Sequence, residues 1–239
     1  MHSPHSLLQA AIFDMDGVLV DSNPYHLQKW IELLKEHHVR FDEAALPKQV
    51  LGPRNDITLR LFFGSQITAE EIARLSEELE AKFRRAFGPH AKLLPGLQSL
   101  LAECHRDGVL MAVATSAMVK NLDFVVDTLH LRPYFRCLLS GDEVSHSKPH
   151  PEIYFQTAHK LGIEPASCVA FEDSLVGIEA VKRAGMKCVA IASTFLSEEL
   201  REQTRADLVV PGFEGLTLHT LQRLFDRDVG SPKDKAWNG

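Results

Sequence analysis

Asp14 and Asp16 stand two residues apart at the end of a short apolar run, in Phe13-Asp14-Met15-Asp16-Gly17-Val18. Extended chain repeats its side-chain direction every second residue. Continued strand geometry therefore puts both carboxylates on one side, and Gly17 lets the backbone turn sharply after them. Two acids so close raise one another's pKa unless a cation or a proton lies between them. The pair points to a metal site, to an acid–nucleophile pair, or to both. Taken alone, it is equally a strand ending in a solvated polar turn.

Three later segments add to it. Leu110–Ala114 runs into Thr115 and Ser116; Cys137–Leu139 is followed by Ser147-Lys148-Pro149; Cys168–Phe171 runs into Glu172-Asp173-Ser174. Each polar group follows a predicted strand, and open α/β sheets bind ligands at the carboxyl ends of their strands. Together these ends supply two acid pairs, hydroxyls and one ammonium. Singly each has an ordinary explanation. Thr115 could cap a helix, Lys148 could be a solvated loop lysine, and Glu172 and Asp173 could favour a helix N-terminus.

With Asp14-x-Asp16-Gly17, Thr115, Lys148-Pro149 and Glu172-Asp173 in this order, the chain resembles the haloacid dehalogenase superfamily of phosphotransferases. It is most similar to the β-phosphoglucomutase and sugar-phosphatase branch, through Tyr25-His26, Pro95-Gly96 and Phe171-Glu172-Asp173-Ser174-x-x-Gly177-Ile178-x-Ala180. The resemblance implies that Asp14 attacks phosphorus to give an aspartyl phosphate. Asp16 would protonate the leaving oxygen, later deprotonate the hydrolytic water, and lend its backbone carbonyl to Mg²⁺. Asp14 and Asp173 would be metal ligands, with Glu172 a ligand directly or through water. Lys148 and Thr115 would hold the phosphoryl oxygens, and Ser116 would offer a backbone N–H or simply start the next helix. The chemistry is consistent: a carboxylate of pKa about 3.9 needs no base to become a nucleophile. Mg²⁺ is a hard ion suited to oxygen ligands and phosphate.

The bulk properties fit a soluble enzyme. The chain has 239 residues, 45% hydrophobic and 24% charged, with a net charge of −6. That length buries a sizeable core in one large or two smaller domains. The charge gives no footprint for nucleic acid, and Lys82, Arg84 and Arg85 form only a small basic cluster. No apolar run nears the roughly 20 residues of a membrane helix. Met1 to Leu8 lacks the features of a signal peptide. Cys104, Cys137, Cys168 and Cys188 are widely spaced, so buried thiols in a reducing cytoplasm are expected. Among the twelve histidines, no pair has metal-ligand spacing in a convincing context. No feature fixes an oligomeric state, and a monomer is compatible with all of them.

The elements that position these groups alternate strand and helix. Strands are expected at Ala10–Phe13, Leu110–Ala114, Arg136–Leu139, Cys168–Phe171, Cys188–Ile191 and Leu208–Val210. Helices are expected near Gly96–Arg106, Asn121–Leu131, Pro151–Leu161 and Leu175–Ala184. This pattern gives an α/β fold, a Rossmann-like parallel sheet with helices on both faces. Residues 1–20 and 91–227 would form the core. Residues 21–90 read as an inserted helical cap domain, and 228–239 as a loosely ordered tail. Within the cap, Leu27, Trp30, Ile31 and Leu34 share one helical face, as do Ile72, Leu75, Leu79 and Phe83. Thr68 and Glu71 have capping-box spacing. His26, Trp30 and Arg54 are the cap side chains placed to read the part of a substrate beyond its phosphate.

A Mg²⁺-dependent phosphatase acting on a small phosphorylated metabolite, a sugar phosphate, is the expected function. The alternative is a hexose-phosphate mutase of the β-phosphoglucomutase type. Mutase relatives carry acid-serine after the cap arginine, where this chain has Asn55-Asp56-Ile57. They also carry a cap lysine, where an ungapped count gives Glu77-Glu78-Leu79-Glu80, with Lys82 the nearest substitute. A dehalogenase is disfavoured by the acid at Asp16, and a non-catalytic metabolite-binding protein by the intact set of polar groups.

Overall fold

In the computed structural model, which describes residues 8–226, six strands form one parallel sheet in the order β3-β2-β1-β4-β5-β6. The strands are β1 (Ala10–Phe13), β2 (Leu110–Ala114), β3 (Cys137–Leu139), β4 (Cys168–Glu172), β5 (Lys187–Ile191) and β6 (Leu208–Val210). The first strand lies in the middle. Ala10 is in register with Leu110 on one side and Cys168 on the other. The expected tail, 228–239, and the expected core residues 1–7 and 227 lie outside the described residues.

Period-two alternation sorts the strand residues between two cores. Ala10, Ile12, Cys168, Ala170, Cys188 and Ala190 face one layer, while Ala11, Phe13, Val169, Phe171, Val189 and Ile191 face the other. The first face is built of small residues. Against it pack Ile153, Tyr154 and Ala158 of one helix and Ile178 and Val181 of another. The second face carries the bulk, with Phe13 stacked on Phe171 at a centroid distance of 4.6 Å. Both faces are covered, as an all-parallel sheet requires. All four cysteines are free, and Cys104, Cys168 and Cys188 are buried.

Of the five α-helices between β1 and β2 in the chain, the first four are α1 (Asn23–Glu36), α2 (Leu46–Val50), α3 (Asn55–Phe63) and α4 (Ala69–Phe87). They own a separate apolar cluster of Trp30, Leu33, Leu34, Leu46, Leu59, Ile72, Leu75 and Leu79. The cap stripe read from the sequence is thus its core, with Leu27 and Ile31 at the edge. Thr68 and Glu71 close the expected capping box at the head of α4. The C-terminal end of α4 leaves the cap cluster, and Phe83 and Phe87 join the larger core.

The remaining helices are α5 (Leu97–Arg106), α6 (Val119–Thr128), α7 (Glu152–Leu161), α8 (Leu175–Arg183), α9 (Ser197–Gln203) and α10 (Leu218–Asp226). Helix α6 starts and stops earlier than the expected Asn121–Leu131, because the chain reverses at His130, whose φ is +54°. Helices α9 and α10 were not expected. No helix among the described residues is long and apolar enough to cross a membrane.

Candidate active site

Regular pairing of β1 stops at Phe13, one residue short of Asp14. The Asp14 amide still donates to the Phe171 carbonyl at 3.0 Å. The chain then coils back, with Gly17 N–H donating to Val20 O and Leu19 N–H to Met15 O, both at 2.8 Å. The chain therefore turns instead of continuing the pleat, and the two carboxylates face different partners, Asp14 toward Lys148 and Asp16 toward Ser22 and His26, although both line one cavity. Gly17 sits at φ +75°, and a Cβ there would lie 2.1 Å from Asp173 Oδ2 and 2.6 Å from Asn23 Nδ2. Only glycine permits both the left-handed turn and this approach to the loop after β4.

Lys148 is buried under the strand ends. Its Nζ donates to Asp14 Oδ1 at 2.8 Å and to Glu172 Oε1 at 2.6 Å. Glu172 is further saturated: Tyr154 Oη donates to Oε1 at 2.6 Å, and Ser174 Oγ and the amides of Asp173 and Ser174 donate to Oε2. Asp173 Oδ2 accepts from Asn23 Nδ2 at 2.7 Å and from the Thr194 hydroxyl.

Oxygens of Asp14, Glu172 and Asp173 lie within 4.8 Å of one another, and all three residues are buried. Three carboxylates face one ammonium. Burial and the Glu172 charge push Asp14 up to about 8 against the pull of Lys148. Burial, with Glu172 and Asp14, holds Asp173 well above the usual carboxylate range. Burial opposes the Lys148 ammonium, but Asp14 and Glu172 outweigh it and raise its pKa. This deficit of positive charge among hard oxygen donors suits a divalent cation such as Mg²⁺, which would return the acids to their ionised forms.

Asp16 turns away from this cluster. Its Oδ1 accepts from Ser22 Oγ at 2.5 Å and lies 3.2 Å from His26 Nε2. The His26 ring stacks on Phe83 at 3.7 Å, and its Nδ1 is 3.9 Å from Glu80 Oε2. Burial works against both charges, yet the pairing wins. Asp16 is lowered, chiefly by His26, and His26 is raised by Asp16 and then Glu80. Glu80 is buried and held by the side-chain amides of Asn55 and Asn121.

A cavity of about 510 Å³ opens over these groups, lined by Asp14, Asp16, His26, Glu80, Thr115, Ser116 and Asp173, with Trp30 and Arg54 at its cap side. Glu172 and Lys148 stand behind its wall. Thr115 is buried at the end of β2, its Oγ1 accepting from the Ala117 amide at 3.1 Å. Arg54 bridges cap and core: Nη1 donates to the carbonyls of Val144 at 2.6 Å and Gly141 at 3.2 Å, and Asp56 grips the rest of the guanidinium. Lys82 lies elsewhere, paired with Glu36 and Glu78.

All ten residues singled out from the sequence, Trp30 among them, lie in or directly behind this cavity. Ser22, Asn23, Tyr154 and Thr194 were not foreseen as parts of it. Asn23, Tyr154 and Thr194 meet partners distant in sequence, and Ser22 reads simply as the residue before a helix. Glu80 was legible as a charge at the cap-lysine position, but its burial was not.

Proteins of similar sequence and similar fold are known. Residues 11–191 match the family model of haloacid dehalogenase-like hydrolases. The chain is 32% identical over 192 residues to hexitol phosphatase B of Escherichia coli, covering 80% of this chain and 86% of that protein. It superposes on β-phosphoglucomutase from Clostridium difficile with a TM-score of 0.82 at 25% identity, covering 93% and 99% of the two chains. For CbbY from Rhodobacter sphaeroides, solved with xylulose-1,5-bisphosphate, the TM-score is 0.78 at 26% identity, with 90% and 99% coverage. With the family model spanning the sheet from β1 to β5, together with every residue of the buried cluster, the chain belongs to the haloacid dehalogenase-like hydrolases.

Proposed function

We propose that the protein is a Mg²⁺-dependent phosphatase that hydrolyses a small phosphorylated metabolite, a sugar or polyol phosphate, through an aspartyl phosphate on Asp14. The buried Lys148–Asp14–Glu172 arrangement carries this reading. It holds the Asp14 carboxylate still and leaves the charge of one divalent cation unmet. Asp14 and Asp173, which line the cavity, would be direct ligands with the Asp16 carbonyl. Glu172, whose oxygens already accept several hydrogen bonds, would act through water. Bound Mg²⁺ would supply charge neutralisation for a phosphate dianion.

In this reading Asp14 attacks phosphorus, and Lys148 and Thr115 hold the phosphoryl oxygens. The Asp16–His26 pair holds the proton that the leaving oxygen needs, and Asp16 then takes a proton from the attacking water. Ser116 supplies a backbone donor at the cavity wall. Residues 21–90 would serve as the cap and, among the described residues, 8–20 with 91–226 as the core. The cap excludes bulk water when shut. Work in the cytoplasm, as a monomer or otherwise, is compatible with this scheme.

The mutase alternative requires a cation for a second phosphate remote from Asp14. Among the described residues, Arg54 is the only lysine or arginine lining the cavity, and Asp56 already occupies it. Glu80 lines the same region with no lysine or arginine partner among the described residues, whereas Glu77 is paired with Arg84 and Lys120. Two like charges about 4 Å apart repel by about 1 kcal/mol even in bulk water, and more in a closed cavity. That favours hydroxyls over a second phosphate, in keeping with the similarity to a hexitol phosphatase. The test is a panel of hexitol and hexose phosphates with Mg²⁺, following both inorganic phosphate and isomerised product. Net phosphate release is expected. Conversion of β-glucose 1-phosphate to glucose 6-phosphate faster than phosphate appears would replace this reading with a mutase.

A further inference from the structure

The loop that delivers Lys148 carries a second cluster of ligand-type side chains on its outer side. His146 and His150 flank Lys148 in the chain, and Glu152 opens α7. Ligand atoms of the three lie within 4.8 Å of one another. His146 Nδ1 is 2.7 Å and His150 Nδ1 4.0 Å from Glu152 Oε2, and the two rings tilt by 30° at a centroid distance of 4.4 Å. The Glu152 carboxylate is fixed in place. Its Oε1 accepts from the Ser145 amide at 2.9 Å and Gln156 Nε2 at 3.0 Å, and its Oε2 from the His146 amide at 2.9 Å. No lysine or arginine among the described residues forms an ion pair with it. Both imidazoles are exposed, with side-chain accessibilities of 64% and 50%, so solvent ions reach them.

We propose that His146, His150 and Glu152 form a binding site for a divalent transition-metal ion of the Zn²⁺ class, separate from the acid cluster at Asp14. Two imidazoles and one carboxylate suit Zn²⁺, Ni²⁺ or Co²⁺, whereas Mg²⁺ favours oxygen ligands throughout. Zinc bonds of about 2.0–2.2 Å put neighbouring ligand atoms of a tetrahedron roughly 3.3 Å apart. Binding would re-aim the two exposed rings toward Glu152 Oε2, with His150 Nδ1 giving up the bond it accepts from the Glu152 amide at 3.3 Å, and water would complete the shell. The histidine spacing gave no sign of this in the sequence, because a four-residue interval suggests a shared ligand only on a helix. Here a loop brings the rings together, and the third ligand comes from the following helix.

Because the ligands straddle Lys148, an ion bound here ties the loop to the start of α7. The probe is Co²⁺, titrated into the full chain at saturating Mg²⁺ and followed by its visible absorption. One equivalent is expected to develop the band of a low-coordinate nitrogen–oxygen site, and Zn²⁺ to displace it. The double substitution His146→Ala/His150→Ala, and separately Glu152→Gln, is expected to weaken binding by more than about tenfold. Asp173→Asn is expected to leave the titration unchanged. Absence of the band, its persistence in the double variant, or its loss in Asp173→Asn would each overturn the assignment.

Discussion

Asp14 is held from behind by a lysine and exposed in front to the cavity, so its replacement separates chemistry from folding. Asp14→Asn keeps the shape of the side chain, and Glu172 still pairs with Lys148. The variant is expected to fold normally and to lose more than about a thousandfold in kcat. Circular dichroism and phosphate release check the two halves, and near-normal turnover would remove Asp14 as nucleophile. The neighbouring pair has a signature in pH. Asp16 and Glu80 raise the His26 pKa above its unfolded value of 6.5. The imidazolium thus contributes stability that is full below about pH 6.5 and fades as pH rises through the raised pKa. The difference in Tm between wild type and His26→Gln should be widest near pH 6 and shrink toward pH 9. A pH-independent difference would show that His26 is not charged in the fold. At this scale the proposed reacting groups were legible because their types and order survive in one dimension. Tyr154 and Thr194 were not: a tyrosine in an amphipathic helix and a threonine in a loop have no sequence mark of the carboxylates they meet.

The turn after β1 and the loop after β4 meet at Gly17. Gly17→Ala forces both an unfavourable φ and a clash with Asp173. It is expected to cost about 1–3 kcal/mol in stability and to weaken Mg²⁺ binding. Denaturant titration and isothermal calorimetry measure the two. Unchanged Mg²⁺ affinity would mean that the two loops move independently. Elements were readable where periodicity and punctuation agreed, as in the capping box at Thr68 and the continuous apolar strands. Helix α9 was missed because SEELREQ offers one buried side chain, Leu200, and no stripe. Helix α10 did carry a signal, with Leu218, Leu221, Leu224 and Phe225 on one side, but its place after the last strand hid it.

For the molecule as a whole, polar contacts fasten cap to core: Arg54 to the carbonyls of Gly141 and Val144, Lys120 to Glu77, and Lys48 to Glu199. Water replaces such contacts at small cost, so they would not bar the opening and closing that the proposed function requires. Arg54→Ala is expected to raise KM severalfold with a smaller change in kcat, as loss of binding and closure requires. Equal losses in kcat and kcat/KM would instead place Arg54 in transition-state stabilisation. The inserted cap was legible from its purely helical composition. The cavity between cap and core was not, since it depends on how the two pack.

The central position of β1 also bears on how the protein acquires its shape. Ala10 pairs with Leu110 and Cys168, both far along the chain, while the cap cluster from Trp30 to Leu79 is complete within the segment between them. During synthesis the strand that carries Asp14 emerges first and waits longest for its neighbours. Domains condense as units, and non-local pairing is slow because loop closure precedes its reward. Pulse-labelled hydrogen exchange during refolding should therefore protect amides of α1 and α4 before those of Ala11 and Ile12. Simultaneous protection would mean that cap and sheet nucleate together. The apolar stretch Ala10–Phe13, needed at the heart of the sheet, is in this order of events the segment most open to mispairing with other chains before its partners arrive.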